Sequence, residues 1–255
     1  MGRARRRWRA RADRLVDALP ASWTAGPVKD NTDSETVLAH RRRVVGGVTV
    51  AGAGLLGVSL STKPGSAQFY RLTSGVAATW VAGGLASGPL HLGWTRRRDE
   101  PLRRPLVTPV LIGVGAFGVF YACALVSRRI PVLNRAISGI LRYAHQGSPR
   151  SVLLTTLANG AAEEVFFRGA VFAAASGRGP VRISTAVYAL TTVATRNPAL
   201  VLASIVMGSL FGLQRRATGG IQAPLLTHLV WSALMVRYLP PLFAPAEPAR
   251  PEPKE

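Results

Sequence analysis

Acidic residues and cysteine are what this sequence has least of. Its 255 residues hold one cysteine and 12 Asp plus Glu, against 32 Lys plus Arg, for a formal net charge of +20. One cysteine excludes a disulfide framework and a thiol-based metal site. Charged residues of both signs amount to 17%, below the ~25% of an average soluble domain, while apolar types reach 48% and mean hydropathy is +0.20. That balance excludes a soluble nucleic-acid binder, which would spread its charge over a solvated surface. It also carries too much apolar content for a disordered chain. Glycine-rich phosphate loops are missing too, because GVGAFG at 113–118 sits inside an apolar run.

What is present is a series of long stretches without any Asp, Glu, Lys or Arg: 44–62, 72–95, 105–127, 197–214 and 217–236. Their lengths of 19, 24, 23, 18 and 20 residues match the ~20 residues a helix needs to cross a bilayer. A sixth stretch, 151–176, is interrupted only by Glu163, Glu164 and Arg168, and a seventh, 183–195, is short at 13 residues. The expected fold is all-α, a polytopic transmembrane helical bundle of about seven spans, or eight if the 128–150 connection holds another. Small residues four apart, such as Gly47 with Ala51 and Ala53 with Gly57, would let helices approach closely in lipid. Pro180 and Pro198 are placed to start helices.

The charges then describe topology. Residues 1–14 carry seven Arg, and no apolar stretch follows until Val44, so 1–43 reads as a retained basic cytosolic arm, not a cleaved signal. A short helix from Trp8 to Leu19 could lie on anionic lipid, and no nucleic-acid partner is needed to explain the charge. With the N-terminus inside and seven spans, basic residues divide 20 to 11 in favour of the cytosolic side. This places the chain in a plasma membrane, expected to be bacterial, with a cytoplasmic N-terminus. The segments are then the arm 1–43, a three-helix unit 44–127, an amphipathic connection 128–150, a core 151–239 and a proline-rich tail 240–255. In the connection, Val132, Leu133, Ala136, Ile137, Ile140 and Leu141 recur at helical spacing.

The chemistry concentrates in NGAAEEVFFRGAVF, residues 159–172. Glu163 and Glu164 fall near the middle of their stretch, where an ionised group costs roughly 2.5–3.5 kcal/mol by insertion scales. Arg168 lies one helical turn after Glu164 and can pair with it. Glu163, about 100° further round an α-helix, has no partner in its own segment, which suits a general base. A structural role for the whole cluster, binding helices together, is the alternative. His228, in APLLTHLVWSALM, is also near mid-span, with Ser232 one turn on. Such a histidine either bonds a neighbouring helix or polarises a carbonyl or holds a metal.

These residues resemble the motifs of the CPBP intramembrane endopeptidases, the CAAX-protease and Abi type. Glu163, Glu164, Arg168 and Gly169 match the Glu-Glu-x-x-x-Arg motif, and His228, preceded by Ala223-Pro224 and Thr227, matches the start of the last motif. The likeness covers roughly 145–238. It implies a helical membrane bundle with a polar cavity, in which Glu163 activates water against a membrane-embedded or lipidated peptide. It also implies His228 as an oxyanion donor and a metalloendopeptidase reading, with a divalent metal such as zinc held by Glu163 and His228. Two positions depart from the motifs. Tyr188 and Thr192 stand where Phe and His are usual, and Ser232 stands where Asn is usual. A hydroxyl neither takes a proton near pH 7 nor serves well as a zinc ligand, so Thr192 is expected only to orient the water, with Ser232 assisting His228. Three readings stay open: the peptidase; a proteolytically weak or inactive relative acting as a membrane scaffold or partner-binding protein; and a proton-coupled transporter using Glu163 and His228 as relay groups. No internal repeat supports the last.

Overall fold

The computed structural model describes residues 33–95 and 102–243, and these form eight helices whose only β pairing is an isolated bridge between Thr95 and Arg103. The Trp8–Leu19 segment, most of the basic arm with its lipid contact, and the tail after Phe243 lie outside the described residues.

Capping chemistry sets many of the helix starts. Ser34 accepts from the Val37 amide and opens α1 (Glu35–Ser59), and Ser66 does the same for α2 (Ala67–Ala86) through Phe69. α3 (Val107–Ser127) starts without a side-chain cap. Proline stands in the first turn of α4 (Pro131–Gln146), α5 (Pro149–Glu163), α6 (Pro180–Val193) and α7 (Pro198–Thr218), where its missing N–H leaves no bond unmade. Ser148 caps α5 and Asn197 caps α7. α8 spans Gln222–Tyr238, and a short 3-10 turn follows at Pro240–Phe243.

Charge-free stretches and helices do not coincide. The 72–95 stretch is not one helix: α2 begins five residues earlier and stops at Ala86, because Gly88 adopts φ +137° and Pro89 follows. Residues 87–94 form an irregular connection instead. The 197–214 stretch continues as helix through Arg215 and Arg216 until Gly219, in the left-handed region at φ +69°, ends it. α3 and α7 are by themselves long and apolar enough to cross a membrane. α6, with 14 residues, spans only ~21 Å at 1.5 Å per residue, short of the ~30 Å hydrocarbon core.

Long-range hydrogen bonds define the two ends of the bundle. At one end, Arg41 is fully buried near the start of α1 and donates to Asp33, to Ser87 Oγ and to the Pro89 carbonyl. Arg42 reaches the Ala174 carbonyl beyond α5, while the carbonyls of His91 and Leu92 accept from the Ile221 and Gln222 amides at the start of α8. At the other end, α4 lies across the helix termini. Tyr143 donates to the Leu60 and Thr62 carbonyls, and Asn197 donates to Ala136 O. Leu141 of α4 is buried with Ala124 and Leu239, with Ile137 and Ile140 packed beside it, whereas Val132 of the same apolar stripe stays exposed.

α5 and its continuation occupy the centre, flanked by α2, α6 and α8, with α1 behind α2, α3 beside α8 and α7 between α6 and α8. The core is aromatic: Trp80 stacks on Phe166 at 4.8 Å and lies 5.1 Å from Phe167. The close approach of α1 to α2 is made by Gly52. Of the two expected pairs, Gly47 and Ala51 face outward with nothing within 4 Å of a Cβ added at Gly47, whereas a Cβ added at Gly57 would lie 2.9 Å from the Ala194 carbonyl at the end of α6. A Cβ added to Gly52 would run into the Trp80 ring. Gly52→Ala is therefore expected to destabilise the fold by about 1–3 kcal/mol through overpacking, read as a lowered thermal midpoint in detergent. Gly46→Ala, with nothing within 4 Å, serves as the control and should leave the midpoint in place.

Candidate active site

The central helix changes pitch where the carboxylates stand. Glu163 ends the α-helical part, and Glu164–Val171 continues as π-helix before one more α turn at Phe172–Ala174. A π segment displaces backbone groups from the regular ladder and is often found at functional sites. Two side chains secure it from outside: Ser184 of α6 donates to the Phe167 carbonyl at 2.7 Å, and Arg215 of α7 donates to the Arg168 carbonyl at 2.9 Å.

The two glutamates sit in different surroundings. Glu164 is 0% exposed, and its Oε1 accepts from Arg168 Nη1 at 3.3 Å and from His228 Nδ1 at 2.9 Å. The pair expected from the sequence is thus a three-residue cluster, in which Glu164 ties the central helix to α8 as well as bonding Arg168. Arg168, also 0% exposed, keeps its guanidinium 4.7 Å from the Tyr188 ring centroid and 5.1 Å from that of Phe211, where ring faces meet its charge. Gly208 makes room for this stack: a Cβ there would lie 3.3 Å from both Arg168 Nη2 and Tyr188 Cδ1.

Glu163 is only partly buried. Its Oε2 accepts from the Tyr188 hydroxyl at 2.6 Å, and among the described residues no side chain donates to Oε1. His228 is held on three sides: by Glu164 at Nδ1, by Phe211 stacked at 4.7 Å, and by Gly160, whose missing Cβ would stand 3.3 Å from Nε2. A carboxylate on Nδ1 fixes the ring orientation and leaves Nε2 as the working nitrogen, an acceptor when the ring is neutral and a donor when it is protonated. Thr227, next to His228, locks α8 in place by accepting from Gln214 and donating to the Pro109 carbonyl.

The structure brings Glu163, Glu164, Arg168 and His228 together and leaves two expected participants aside. Thr192 is buried, but its hydroxyl donates to the Tyr188 carbonyl of its own helix at 2.8 Å, so its proton is not directed at a water held by Glu163. Ser232 is buried one turn beyond His228 on α8 and makes no hydrogen bond to the glutamates or to the histidine. The residue that sequence reasoning passed over is Tyr188, read there only as a stand-in for Phe. The signal was available, because a tyrosine in an otherwise apolar helix needs an acceptor for its hydroxyl.

The same geometry tests the expected metal. Zinc takes at least three protein ligands, and among the described residues no three His, Cys, Asp or Glu side chains form such a group. Glu164 Oε1 is occupied by Arg168 and His228, Glu163 Oε2 is occupied by Tyr188, and His228 directs Nδ1 at a carboxylate. That leaves Glu163 Oε1 and His228 Nε2 as the donors that could face a divalent ion, one short of the three protein ligands usual for zinc.

Residues 146–234 match the family model described as type II CAAX prenyl endopeptidase, Rce1-like. The matched stretch is about a third of the chain and contains α5 with its π segment, α6, α7 and most of α8, hence every residue of the site. No match was found among curated proteins or among solved structures.

Proposed function

We propose that this chain is an integral membrane protein of the CAAX-protease type, to whose family model residues 146–234 are similar, and that it hydrolyses a peptide bond in a membrane-associated substrate. The substrate class this reading favours is a prenylated peptide cut near its C-terminus, since that is the activity in the family's description. One observation carries the reading: two adjacent glutamates are made unequal, Glu164 closed between Arg168 and His228, and Glu163 left with an oxygen free to receive a proton.

The chemistry follows from that inequality. Glu163 takes a proton from water as the water oxygen bonds to the carbonyl carbon of the peptide. His228, oriented through Nδ1 by Glu164, presents Nε2 to the oxygen on which negative charge develops and donates there when the ring carries both protons. The proton on Glu163 then passes to the amide nitrogen as the C–N bond breaks, and the second water proton, left on the new carboxyl, moves to the released amine to give a carboxylate and an ammonium group. Water, peptide and side chains balance this reaction. The excess of basic residues in the segments grouped with the N-terminus supports a cytoplasmic N-terminus.

The test is a defined peptide ending in a prenylated cysteine and three further residues, mixed with the full chain in liposomes and followed by mass spectrometry. Release of the C-terminal tripeptide is expected, with little release from the same peptide lacking the lipid, and a chelator is expected to leave the rate unchanged. No cleavage of either peptide would contradict the reading. It would favour a scaffold role, which draws support from Thr192 and Ser232, whose side chains take no part in the polar cluster.

A further inference from the structure

We infer that Tyr188 is a positioning residue for Glu163, its hydroxyl fixing one carboxylate oxygen so that the other faces the reacting water. The inference rests on the hydrolase reading above and adds a residue to it.

Five hydroxyls line the buried side of α6. Those of Ser184, Thr191 and Thr192 end on backbone carbonyls, at Phe167 for the first and at Tyr188 for the other two, and that of Thr185 meets no hydrogen-bond partner among the described residues. Tyr188 alone reaches an ionisable side chain, at 2.6 Å from Glu163 Oε2, within the short range of a charge-assisted O–H···O bond. The ring is held independently of that bond: Phe167 lies 4.7 Å away, the Arg168 guanidinium covers one face at 4.7 Å, and Gly208 lies beside Cδ1. A phenylalanine would fill the same space, so the hydroxyl's consequence is directional. It holds Oε2 and leaves Oε1 without a donor. The ring has a second effect, since Arg168 stacks on it while donating to Glu164. This directs the arginine's hydrogen bond to Glu164 and leaves Tyr188 as the donor to Glu163.

Tyr188→Phe keeps every ring contact and removes only the hydroxyl. With the prenylated peptide in liposomes, kcat is expected to fall ~10–100-fold, the equivalent of one hydrogen bond to a charged group. KM and the thermal midpoint should stay unchanged. A residue that serves packing alone would lower the midpoint and leave kcat intact. A readout that needs no turnover is the infrared carboxyl band of Glu163, assigned by its loss in Glu163→Gln. That band should shift in Tyr188→Phe. An unshifted band, or an unchanged kcat in the variant beside an active wild type, overturns the inference. A wild-type protein that cleaves nothing overturns the hydrolase reading instead, and with it any role of Tyr188 in turnover.

Discussion

Glu163→Gln is expected to lower the rate of the proposed peptide cleavage by ~10²–10⁴-fold, the usual contribution of a general base, and to leave the thermal midpoint in detergent where it was. The amide keeps the volume of the side chain and an oxygen that can accept from Tyr188, so the packing around α5 is preserved. What it cannot do is take a proton from water. The comparison is with Glu164→Gln, one residue away. There the loss falls on stability as well, because Glu164 ties together Arg168 and His228 from two helices. Equal cleavage by wild type and Glu163→Gln would remove Glu163 from the reaction.

Arg168→Met produces the largest expected loss of stability. It leaves the Glu164 carboxylate at 0% exposure without its cation, and breaking one side of a buried ion pair costs about 3–5 kcal/mol. The stack over Tyr188 and Phe211 is lost with it. Adding Glu164→Gln to Arg168→Met removes the uncompensated charge and should recover part of the loss, because replacing both members of a buried pair is far milder than removing one. Chemical denaturation in detergent checks both variants. A double variant no more stable than Arg168→Met would mean that Glu164 is not paired with this arginine.

Much of this arrangement could be read in the chain, and the remainder depended on contacts that spacing does not encode. Apolar stretches without charge identified an all-helical bundle, but they misplaced its helix ends. Gly88 and Pro89 stop α2 well before the charge-free stretch is over, and Ser34 starts α1 nine residues before its stretch begins at Val44. Glu164 and Arg168 were legible as a pair because four residues in one helix bring them close. The bond from His228 to Glu164 crosses 64 residues, and that from Tyr188 to Glu163 crosses 25. Only the packing of α6, α7 and α8 round the central helix makes those two. The π segment was not legible either: EVFFRGAV is compatible with an ordinary helix, and its altered pitch shows only in the carbonyls that Ser184 and Arg215 satisfy. Thr192 misled because a hydroxyl beside a backbone carbonyl of its own helix bonds there first.

The central claim is that this chain hydrolyses a membrane-anchored peptide with water activated at Glu163. The most direct measurement is cleavage in ¹⁸O-labelled water by the full chain in liposomes, with wild type and Glu163→Gln side by side and products read by mass spectrometry. The account predicts one ¹⁸O in the newly formed carboxylate of the wild-type product and almost no product from Glu163→Gln. Absence of labelled product from wild type, or equal labelled product from the two, would contradict it.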